Sequence, residues 1–125
     1  MNTSRNFMVI ASLYIILGVG IGMYMGGSND HTLLPGHAHI NLLGFVLPMA
    51  LGITYHLFPA AGQSSLARAH FWLHQIGALV LLVKPALFLT GKIGEAAMFP
   101  VAPLAELAVM LGLVALAVNV FRHVR

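Results

Sequence analysis

The chain has 125 residues, 59% hydrophobic and 7% charged, with six Lys+Arg against three Asp+Glu and a formal net charge of +3. An ordinary soluble domain is roughly 25% charged. Together with a mean hydropathy of +0.91, this is the composition of a membrane protein, because so few charged side chains cannot cover a globule of this size. The basic residues stand scattered at the ends of apolar runs, which excludes nucleic-acid binding as a first reading. The absence of Cys excludes disulfides, thiolate metal sites, iron–sulfur clusters and covalent c-type haem.

A bilayer core needs about 20 apolar residues per helix. No charged residue lies between Arg5 and Asp30, and the first span is expected at about 6–26. That run exceeds the roughly 7–15 residues of a signal-peptide core and no small-x-small site follows it, so it is expected to stay attached. Asp30 to Arg68 is again free of charge, giving a second span at 35–59. The third, 66–91, has Arg68 at its start and Lys84 within it; the fourth, 98–121, carries Glu106. The sequence thus predicts a single all-α integral membrane domain, 1–125, with four transmembrane helices and turns at 27–31 and 62–65. Arg5, Arg68, Arg122 and Arg125 fall at the termini and the second connection, which predicts both termini in the cytoplasm of a cell with this chain in its inner (plasma) membrane.

Seven His in so apolar a chain stand out, since ionisable residues inside a membrane mark ligand sites or proton paths. His37 and His39 open the second span. At about 100° per residue they point to opposite sides of the helix. They cannot close on one small ion, but each can serve a flat cofactor on its own flank; the alternative is an outer-interface pair hydrogen-bonded to water. Asn41 follows within reach of either. His56 lies roughly 28 Å beyond His37 along the same helix. His70 and His74, four residues apart, share one face of the third helix. These three are candidates for a second site, as metal ligands, a quinone-head contact or a proton entry, or else they are solvated near the turn. Lys84 and Glu106 fall at matched depth on consecutive helices, so an internal ion pair is expected. Gly18, Gly22 and Gly26 allow close helix packing. Pro48 and Pro85 should kink their helices, and the Met residues read as packing.

Several stretches resemble a known family. Leu13-Tyr14-Ile15-Ile16-Leu17-Gly18 with Gly22, Pro35-Gly36-His37 followed by Pro48 and Pro59, and His70-Phe71-Trp72-Leu73 are similar to the first three helices of subunit I of the haem–copper oxidases. The likeness covers about residues 8–90 and does not extend to the fourth helix. In that family the His matching His37 is an axial ligand of the low-spin haem. The family's subunit has twelve helices in three arcs of four. This chain supplies one arc and lacks the helices of the oxygen-reducing centre. His37-Ala38-His39 also resembles the His-x-His of the family's tenth helix, whose two His serve two haems on opposite flanks. The resemblance implies a b-type cytochrome that transfers electrons, in exchange with quinol or a respiratory redox partner. A homotrimer would complete the ring, each haem taking His37 from one subunit and His39 from its neighbour. Within one chain, His56 with His74 is the alternative axial pair. Two further readings are a component of an oxygen or nitric oxide reductase, with copper, the less expected metal, on His56, His70 and His74, and a non-redox haem sensor or assembly protein.

Overall fold

A computed structural model describes residues 1–124, without the side chains of Ala86 and Glu95, so the share of the orientation argument that rests on Arg125 lies outside the described residues. Helix α1 spans Thr3–Ser28. Asn2 caps it by accepting a hydrogen bond from the Arg5 N–H, 3.0 Å away, and Asn29 ends it in the left-handed region at φ 55. Helix α2 runs Leu34–Leu57, with Pro35 in its first turn, where a missing N–H does no harm. It stops before Pro59, which disfavours helical backbone at Phe58. A single turn, α3 (Pro59–Gly62), reverses the chain into α4, Ser65–Leu89. The Ser64 hydroxyl oxygen accepts from the Ala67 N–H at 3.0 Å and so satisfies one of the free amides at the start of α4. Gly91, at φ 69, takes the chain out of α4. A 3₁₀ turn, Glu95–Met98, then leads to α5, Val101–His123.

All regular structure among the described residues is helical. The four long helices are each long and apolar enough to cross a bilayer, so the chain is that of a multi-pass membrane protein. Their order makes two antiparallel pairs, α1 with α2 and α4 with α5. Small residues let the backbones approach: a Cβ on Gly77 of α4 would come within 2.6 Å of the Ala105 carbonyl oxygen of α5. The apolar core, Phe7, Leu51, Tyr55, Ala61, Ala67 and Phe71, lies near the end of the bundle that carries the termini. Large apolar side chains such as Leu13, Ile16 and Leu17 of α1 and Leu104, Leu107 and Leu111 of α5 are exposed. Lipid is the solvent that tolerates such a surface.

Pro48 acts on α2 through a change of winding, and the helix runs on past it. Residues Ile40–Val46 form a π-helical segment, and the Leu47 N–H reaches back five residues to the Leu42 carbonyl. The Leu43 carbonyl therefore has no donor from Leu47, and Pro48, the next residue in π register, has no N–H to give. That carbonyl is satisfied from another helix, by His74.

Candidate functional site

His39 is exposed near the start of α2. Its Nδ1 lies 2.8 Å from the Pro35 carbonyl oxygen. A carbonyl only accepts, so Nδ1 carries the proton and Nε2 presents a free lone pair. This is how metal-bound imidazoles are commonly held, with the second nitrogen tied to a backbone carbonyl. Below His39 the exposed side of α2 is apolar, with Leu42, Val46, Ala50 and Ile53 in sequence. A shallow groove of about 380 Å3 is lined by Leu42, Leu43, Val46, Leu47 and Ala50.

His37 goes the other way, as the angular spacing requires. It is half-buried against α1, where a Cβ on Gly22 would come within 3.1 Å of its Cε1. Asn41 donates from Nδ2 to His37 Nε2 at 3.0 Å, while His37 Nδ1 is buried without a partner. The Asn41 Oδ1 rests on Gly18, where any side chain would collide with it. Gly18 and Gly22 therefore make room for two polar side chains of α2, a more specific task than the general helix packing expected of them. Gly26 faces open space.

A second polar cluster sits inside the bundle. His70 and His74 of α4 are both fully buried, with ring centroids 6.0 Å apart. Phe7 of α1 packs on both rings, at 5.3 Å and 6.0 Å. Tyr55 Oη and His70 Nδ1 are hydrogen-bonded at 2.8 Å. His74 Nε2 donates to the Leu43 carbonyl at 3.2 Å. The other nitrogen of each ring, His70 Nε2 and His74 Nδ1, is buried with no partner.

His56 does not join them. It is exposed and lines a cleft of about 390 Å3 with Thr3, Ser4 and Tyr55, so the expected trio of His56, His70 and His74 is corrected to a His pair with Tyr55 in the third place. Adjacent residues on a helix differ by about 100°, so only one of Tyr55 and His56 can face α4. The alternative intrachain haem pair of His56 with His74 fails for the same reason, and the His74 ring is enclosed by Phe7, His70 and Leu43. Nor is His70 solvated at the turn. Sequence reasoning passed over Tyr55 and also Asn119, which is fully buried, accepts from Ser64 Oγ at 2.9 Å and donates to the Ala61 carbonyl at 3.0 Å. A polar residue inside the fourth apolar span was the available signal for Asn119.

Lys84 Nζ and Glu106 Oε1 lie 3.8 Å apart, so the two are paired as their matched depths predict, but the expected internal pair is corrected to one at the bundle surface, with Glu106 exposed. Among the described residues, no three His, Asp or Glu side chains converge as metal ligands. Compared with protein-family models, curated proteins and solved structures, the chain matches none, and the site is read from its own geometry.

Proposed function

We propose that the protein is a membrane b-type cytochrome, a homotrimer that holds haem between its copies and passes single electrons. The observation that carries this reading is His39. An imidazole whose proton is fixed on Pro35 turns a bare nitrogen outward at the head of an apolar face, where a lipid chain offers it nothing. A haem iron answers that nitrogen, and the apolar side of α2 below it suits a porphyrin face. When bound, the haem would supply one-electron chemistry, and holding it through His39 of one copy and His37 of its neighbour would favour electron transfer over oxygen chemistry.

The opposite flank fits on a condition. His37 is the second ligand, contributed by the neighbouring copy, and it must exchange its Asn41 bond for the iron. Asn41 is then the residue that stores the ring when no haem is bound. Because His37 and His39 leave α2 in opposite directions, one chain cannot supply both ligands to one iron. A closed ring of copies can, and three copies of four helices make the twelve-helix arrangement of the family the sequence resembles. In this reading both termini face the cytoplasm across the inner membrane, and quinol or a respiratory protein exchanges electrons with the haem.

Haem content and mass of the detergent-purified complex test the reading. One haem per chain in a threefold complex is expected, with His39→Ala reduced at least tenfold in haem and Asn41→Ala retaining it. Wild-type haem content in His39→Ala would overturn the assignment.

A further inference from the structure

His70 and His74 are not used by the haem reading, and their surroundings point to a separate ligand. Each ring is anchored through one nitrogen, His70 Nδ1 on Tyr55 Oη at 2.8 Å and His74 Nε2 on the Leu43 carbonyl at 3.2 Å. The anchor on His74 is built in by the fold, since Pro48 leaves the Leu43 carbonyl free to accept. It sets the tautomer of His74, with the proton on Nε2 and the lone pair on Nδ1. The Tyr55 oxygen can accept from His70 Nδ1 in the same way, which leaves the His70 lone pair on Nε2. In that tautomer the two nitrogens with no partner, His70 Nε2 and His74 Nδ1, both carry lone pairs, and a bound cation would select it over the one in which Tyr55 donates to His70 Nδ1.

We propose that this pair binds one monovalent copper ion, Cu(I). Two imidazoles bound to one ion at about 2 Å from each nitrogen, nearly in line, place their ring centroids roughly 6 Å apart. The observed separation is 6.0 Å. Zinc, iron and manganese take four to six ligands, and no third His, Asp or Glu converges here among the described residues. Cu(I) has a filled d shell, accepts two nitrogen donors, and brings a single positive charge into a site with no carboxylate to neutralise a second. The aromatic wall of Phe7 keeps the site dry, which favours Cu(I) over the more strongly hydrated Cu(II). Binding needs no electron transfer when the metal is supplied as Cu(I), and no proton is lost from either neutral ring. The competing guest is one water, donated to by His70 Nε2–H and donating to His74 Nδ1.

The full-length protein, in detergent under ascorbate and without oxygen, is loaded with Cu(I) and passed over a column containing a Cu(I) chelator. One copper per chain should remain, and X-ray absorption should show two nitrogen neighbours and no sulfur. His70→Gln and His74→Gln should each weaken retention at least tenfold, and His37→Gln and His39→Gln should leave it unchanged. No retained copper would overturn the site in favour of water. A shell of four ligands, or retention lost with His37 or His39 instead, would overturn it too. The absorption spectrum of the wild-type protein decides the matter even if the Gln variants fail to fold.

Discussion

Gly18 and Gly26 lie two helical turns apart on α1 and give opposite expectations for the same substitution. A methyl group on Gly18 collides with Asn41 Oδ1, and through Asn41 it disturbs His37; on Gly26 it meets nothing. Gly18→Ala should therefore destabilise the protein by about 1–3 kcal/mol. Gly26→Ala should be neutral or stabilising by up to about 1 kcal/mol, since Ala is the better helix former. Thermal unfolding in detergent measures both, and equal effects would mean that α1 has no specific contact with Asn41. Asp30, in the turn between α1 and α2, makes a different prediction. It accepts from the Thr32 hydroxyl at 2.5 Å and from the Thr32 N–H at 3.0 Å, and these bonds hold its carboxyl below the ordinary carboxylate range. With the folded value depressed, its contribution to the turn is complete above the unfolded value of about 3.9 and is lost as pH falls through the folded one. An NMR titration should find the midpoint below that of an unstructured Asp. Thr32→Ala should move it part of the way back, because only the hydroxyl is removed.

On the scale of whole helices, the contact between α2 and α4 rests on an exchange of donors. Pro48 withholds one, and His74 supplies it to the Leu43 carbonyl. If residue 48 regains an N–H in Pro48→Ala, His74→Leu should become less harmful than it is in the wild type, where an orphaned carbonyl adds about 1–3 kcal/mol. A double-mutant cycle should give a coupling of at least about 0.5 kcal/mol; strict additivity would show that the two residues do not share this carbonyl. The Lys84–Glu106 pair, with Lys84 29% and Glu106 58% exposed, gives a similar test. Lys84→Met alone leaves Glu106 as an unpaired charge at the lipid face, so the double variant Lys84→Met, Glu106→Gln should be more stable than the single one. A double variant less stable than the single one would remove the ion pair from the account. The pair was legible in the sequence because both residues interrupt apolar runs at countable depth. The helices themselves were legible from the gaps between charges, and their ends moved by only a few residues. The π segment was not legible, since its winding is rewarded by a donor from a helix far along the chain. Tyr55 was missed for a related reason. His56 beside it carries the stronger chemical signal, and only the way α2 faces α4 decides which of the two turns inward.

Thr3, Ser4, His70, His74 and Asn119 are buried while many large apolar side chains of the four long helices are exposed, and two polar side chains stand out on that apolar surface. His39 and Glu106 are polar and exposed on helices that otherwise present hydrocarbon. Such groups at a lipid face call for a partner, and the proposed assembly of copies around haem would provide one for His39. The most direct measurement is the absorbance spectrum of the protein purified from haem-replete cells, oxidised and then dithionite-reduced, with carbon monoxide added last. Sharp reduced b-type bands that carbon monoxide leaves unchanged are expected, because His37 and His39 from adjacent copies would both hold the iron. A carbon monoxide shift would contradict bis-His ligation, and the absence of a Soret band would contradict haem binding altogether.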